Sequence, residues 1–194
     1  MERELEPPAV VKTVEGVYEI RRSGNDVGTE TFVRRGLSNN TVVVECTYDV
    51  VADDGTFVMG NNRLEYVEDS GFPRRYYTLR KTQSENSERV REATAEMYAN
   101  VVVWESHAGG HDVHEVMELP TGCLFIEANI ANQVAAVVER YKSSRGGKQT
   151  FRAFDPLAGG QAAVTVEFVG EADPDDVEIN VGNGPLAHYR YSAG

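Results

Sequence analysis

The chain has 194 residues, 41% hydrophobic and 26% charged, with a formal net charge of −12. That length suits one domain able to bury a core without staples, and the acidic balance repels phosphate backbones, so nucleic-acid binding is excluded as a general role. Two cysteines do not make a disulfide framework, and no run of 18 apolar residues is present to span a membrane as a helix.

Residues 1–14 read as an extended, polar lead-in around Pro7-Pro8, and residues 15–194 as a single domain. The start lacks the basic and apolar stretches of a signal peptide. The expected compartment is periplasmic or extracellular if such a peptide has been removed, and otherwise cytoplasmic. From Val17 the apolar residues alternate with period two, and turn residues punctuate them, as in antiparallel strands. Val17–Arg22 and Val27–Arg35 flank a turn at Ser23-Gly24-Asn25-Asp26. Thr41–Val51 places Val42, Val44, Cys46, Tyr48 and Val50 on one face, and Glu45, Thr47 and Asp49 on a wet one. Asp53-Asp54-Gly55 is a hairpin turn leading into Thr56–Val67, with a bend at Gly60. Arg75–Thr82 and Val101–Trp104 are further strands. Arg89–Met97 has residues that suit a helix, but its alternation and its neighbours favour a strand.

One segment breaks the rhythm. Across 126–141, Ile126, Ile130, Val134, Val137, Val138 and Tyr141 form one stripe of an amphipathic helix, closed off by Gly146-Gly147. Strands then resume at Thr150–Phe154, Ala162–Gly170, Val177–Val181 and Ala187–Tyr191. The expectation is a mainly β fold: a large curved antiparallel sheet, half-barrel or open barrel, of about ten strands, with one amphipathic helix packed in its concave face.

The stretches GVYEIRRSGNDVGTETF and FRAFDPLAGGQAAVTVEFVG carry the pattern Tyr18, Ile20, Gly24, Gly28, Glu30. This resembles bacterial half-barrel proteins of unknown function, which are similar in fold to the periplasmic lipoprotein carriers. The resemblance covers most of residues 15–181. It implies an exported protein whose concave apolar face binds lipid or another hydrophobic molecule, and it brings no catalytic residues.

Candidate chemistry is sparse. Three of the four histidines fall in the stretch SHAGGHDVHE, residues 106–115. With a three-residue loop at Ala108-Gly109-Gly110, His107 faces His111 and both share a face with Glu105, giving three ligands for a metal, while His114 lies on the opposite face. A polar hairpin tip that takes up adventitious zinc or nickel is the plainer reading, and no cofactor is expected. Arg74, Tyr76 and Arg80 share a strand face and suit a carboxylate or phosphate head group, although a solvated outer face explains them as well. Cys46 reads as a small buried thiol.

The functional expectation is a binding module for a hydrophobic or amphiphilic small molecule such as a lipid. Tyr18, Ile20, Phe32, Val44, Tyr48, Leu64, Tyr66, Val166 and Phe168 line the concavity, and Ile130, Val134, Val137 and Val138 close it. The alternatives are a metal-dependent or cofactor-free enzyme in the same pocket, and a structural or interaction protein with a fully packed core.

Overall fold

A computed structural model describes residues 7–22, 25–52, 54–127, 133, 137, 140–141, 148–168, 176–181 and 187–190; for 21–22, 166–168, 176–181 and 187–190 it describes the backbone alone. Eight strands form a continuous antiparallel meander in chain order: β1 (Val10–Arg22), β2 (Asn25–Leu37), β3 (Thr41–Val51), β4 (Phe57–Val67), β5 (Phe72–Ser84), β6 (Ser87–Tyr98), β7 (Val101–Ala108) and β8 (His111–Glu118). The sheet is open, with β1 and β8 at its edges. At most five residues separate each strand from the next, so the alternating sequence pattern feeds straight into pairing. β1 begins at Val10, inside the stretch read as a lead-in. Residues 89–97 lie within β6, in line with the strand reading.

The remaining strands build a second sheet: β9 (Leu124–Phe125), β10 (Gln149–Asp155), β11 (Gly160–Phe168), β12 (Asp176–Val181) and β13 (Ala187–Arg190), in the order β13-β12-β11-β10-β9. The one parallel pairing among the described strands is β9 with β10, where Ala153 meets Leu124 and Phe154 meets Phe125. The expectation of about ten strands in one sheet is therefore corrected to an eight-stranded sheet with a separate five-stranded one. Period-two patterning marks strands but carries no mark of where a sheet ends.

Register fixes which side chains share a face. Val42, Val44, Cys46, Tyr48 and Val50 of β3 lie opposite Tyr66, Leu64, Asn62, Gly60 and Val58 of β4, and Leu64, Asn62 and Gly60 lie opposite Tyr76, Thr78 and Arg80 of β5. This is the inner face. Its main core joins Val42, Val44, Leu64, Tyr66, Tyr76, Ala95, Met97, Val102 and Trp104 to Leu119, Cys123, Phe125 and Phe154. The second sheet thus packs against the inner face of the first, and Phe125 and Phe154 supply cover that the sequence had assigned to a helix alone. Trp104 stands edge-on to Phe154 at 6.2 Å and donates its indole N–H to the Pro156 carbonyl at 2.6 Å.

No helix is delimited among the described residues. Within 126–141 the backbone is helical at Gln133, Val137, Arg140 and Tyr141. Ile130, Val134 and Val138 lie outside the described residues, as do the side chains of Val166 and Phe168. A smaller core joins Leu124, Ile126, Val137, Tyr141, Ala153 and Val164.

Candidate binding site

Polar side chains gather on the inner face, in a place the apolar pattern did not announce. Tyr48 on β3 extends its ring across β4 because Gly60, its register partner, has no side chain: a Cβ there would stand 2.6 Å from the Tyr48 hydroxyl. The hydroxyl thereby reaches Arg80 on β5, accepting a hydrogen bond from Nε at 3.1 Å. Glu127, just after β9, descends onto the same spot. Its Oε1 accepts from Arg80 Nη2 at 2.5 Å and from the Tyr48 hydroxyl at 3.3 Å, and its Oε2 accepts from the Tyr76 hydroxyl at 2.7 Å. Gln133 closes the ring. Its amide donates to the Tyr76 hydroxyl at 2.6 Å, and its carbonyl accepts from the Glu127 backbone N–H.

The cluster is dry. Glu127 is 2% exposed, Gln133 1% and Tyr76 2%. Burial and the adjacent Glu127 carboxylate push both the Tyr48 and the Tyr76 hydroxyls above the ordinary phenol range, so both stay protonated as donors. Burial works against the Arg80 guanidinium, but Glu127 and Tyr48 outweigh it and hold its pKa above the usual value. Glu30, also on the inner face and opposite Tyr48, is fully buried too.

Beside this cluster the inner face turns apolar and only partly covered. Tyr18 and Phe32 stack at 4.9 Å between ring centres, 21° from parallel. Phe32 and Val58, both half-buried, pack on the Cys46–Tyr48 core, and Ile20 is half-buried as well. The structure therefore brings Tyr18, Ile20, Phe32, Tyr48, Leu64, Tyr66, Tyr76 and Arg80 to one face, as their parity required. Arg74 does not join them. The β4–β5 register slips between Glu65 and Tyr66, so Arg75 pairs with Glu65, Pro73 pairs with Tyr66, and Arg74 falls in the bulge. It is exposed and donates to Thr41 Oγ1 at 3.4 Å.

The opposite face, read as simply wet, carries an open groove of about 770 Å³ bounded by Val17, Thr31, Val33, Thr47, Asn61 and Tyr77. Its rim holds an ion-pair chain in which Glu45 bonds both Arg35 and Arg63, and Arg63 also reaches Glu65 at 2.8 Å.

The histidine hairpin corrects the register expected for it. The turn has two residues, Gly109 and Gly110, at φ of 58° and 80°, a conformation that glycine adopts without strain and that matches the twist of the strands. Ala108 consequently pairs with His111, His107 with Asp112, and Glu105 with His114. The one-residue difference from a three-residue loop puts His111 on the opposite face from His107 and brings His114 onto it. His107 bonds Asp112 at 2.8 Å and His114 bonds Glu105 at 2.9 Å, all of them exposed. Among the described residues no group of three His, Cys, Asp or Glu side chains could hold a metal ion. The His107–His111–Glu105 set does not converge. Cys46 and Cys123 are both buried, and neither is in a disulfide.

Glu127 and Gln133 escaped the sequence reading, although a signal existed. Gln133, Val137 and Tyr141 recur at four-residue steps, and all three are buried, so a polar residue sits within the apolar stripe.

Comparison with protein-family models, with curated proteins and with solved structures gives no match for this chain.

Proposed function

We propose that the protein is a binding module for an amphiphilic small molecule, held on the inner face of the eight-stranded sheet. The observation that carries this reading is adjacency: the half-covered Tyr18–Phe32–Val58 surface runs directly into the buried Tyr48–Arg80–Glu127–Tyr76 cluster. An apolar chain lies against the first and a polar end against the second, the division of labour usual for small-molecule sites. A helix over 126–141 is part of this reading. Gln133, Val137 and Tyr141, one helical face apart and all buried, support it as the cover of the polar end. The sequence pattern of Tyr18, Ile20, Gly24, Gly28 and Glu30, which resembles half-barrel proteins similar in fold to lipoprotein carriers, points the same way. The groove at Val17, Val33 and Tyr77 favours a second placement of the same kind of ligand, on the outer face.

Native mass spectrometry of freshly purified protein tests the function: a lipid-sized adduct is expected, and a clean apo mass in repeated preparations, with no uptake of Nile red, would sink it. Phe32→Ala and Tyr18→Ala should weaken dye binding about tenfold. If Tyr77→Ala does so instead, the outer groove is the site.

A further inference from the structure

Asn62 and Thr78 are register partners on β4 and β5, both facing inward, 3% and 0% exposed. Among the described residues neither atom of the Asn62 carboxamide has a hydrogen-bond partner, and the Thr78 hydroxyl oxygen, beside the Tyr76 hydroxyl, has none in good geometry. Buried polar groups are nearly always partnered, and leaving one without a partner costs stability. An apolar pair of the same shape would avoid that loss, so the two residues oppose stability where they stand. Such conflicts concentrate where a protein binds something.

Their surroundings say what would bind. Asn62 is joined to the Tyr18–Phe32 surface through Cys46, which is the register partner of both Asn62 and Phe32. Thr78 sits two residues from both Tyr76 and Arg80 on the same face. The charges there already satisfy one another, with Arg80 bonded to Glu127 and Tyr48. What remains for a ligand is one carboxamide, which both donates and accepts, and one hydroxyl, which does the same. Among the described residues, the nearby cation Arg80 is already bonded to Glu127 and Tyr48, so an anionic head would compete with Glu127 for it.

We propose that Asn62 and Thr78 receive the head of the amphiphile, and that this head is an uncharged group with both a donor and an acceptor, a hydroxyl or a carboxamide. The inference rests on the amphiphile reading above. A matched series tests it: decanol, decanamide and decanoate displacing Nile red from the full chain. Decanol and decanamide should displace the dye at concentrations at least tenfold below decanoate. Asn62→Leu and Thr78→Val, with the fold checked by circular dichroism, should each raise the melting temperature and abolish that preference while leaving decanoate unaffected. Thr78→Ser should retain it. Failure to take up the dye or any of the three overturns the amphiphile reading itself. Uptake with decanoate equal or preferred overturns the head-group assignment alone. So does a lowered melting temperature in both Asn62→Leu and Thr78→Val with the preference intact, which would leave the pair a structural role held by lodged water.

Discussion

Arg80 Nη2 and Glu127 Oε1 meet at 2.5 Å, with the Glu127 side chain 1% exposed and the Arg80 side chain 22%. A pair this far from water is worth little as a pair but is costly to break, because the survivor keeps its charge without a partner. Arg80→Met should destabilise the protein by about 3–5 kcal/mol. The double variant Arg80→Met with Glu127→Gln should recover part of that loss, since no buried charge remains. Urea unfolding midpoints measure both. A double variant no better than the single one would contradict the account.

The His107 pKa lies above the usual imidazole range, chiefly through its hydrogen bond to Asp112, with Glu92 and Glu105 adding to it. A raised histidine pKa contributes stability below the unfolded value and loses it as pH rises through the folded one. The effect is small, since the ring is exposed. The direct readout is an NMR titration of His107, whose midpoint should fall in Asp112→Asn. His111 stands on the other face, so His107→Ala and His111→Ala should alter any nickel retention independently and additively.

Gly159 has φ of 67°, and a Cβ there would meet the Trp104 indole at 2.2 Å. Gly159→Ala therefore combines backbone strain with overpacking, a loss of roughly 1–3 kcal/mol. Trp104 is the single tryptophan of the chain. Its emission should shift to the red as the indole is pushed from Phe154 and the Pro156 carbonyl. An unchanged spectrum together with unchanged stability would refute the contact.

Cys123 is pushed up to about 11 by burial, and Cys46 is 4% exposed within the Tyr48 cluster. Neither thiol should react with Ellman's reagent in the native protein, and both should react in denaturant, two equivalents per chain. Fast labelling of either under native conditions would count against their burial.

Strand positions and facing were legible because parity is local. Tyr18, Phe32, Tyr48, Leu64 and Tyr66 share one face, and Tyr76 and Arg80, which their spacing within one strand placed together, lie on that face and not on a solvated outer one. What failed depended on a single extra or missing residue. Gly109-Gly110 as a two-residue turn reversed His111 and His114, and the slip between Glu65 and Tyr66 removed Arg74 from its expected company. The polar cluster was hidden for another reason. Tyr48, Arg80 and Glu127 meet only after β3, β5 and the second residue past β9 are brought together, and Gly60 makes room by lacking a side chain, which no periodicity reports. The division into two sheets was likewise invisible, since β10 and β11 alternate as the earlier strands do.

The parallel seam between β9 and β10 has a kinetic consequence. The eight-stranded meander is made of successive hairpins, each closing over a handful of residues, so it can zip strand by strand. The seam instead joins Leu124 to Ala153, and it sets Phe154 against Trp104 only once these two positions, distant in sequence, have met. Docking of the second sheet is thus the late event, and the indole of Trp104 is the clock that times it: far-ultraviolet signal should appear before tryptophan fluorescence reaches its native value during refolding.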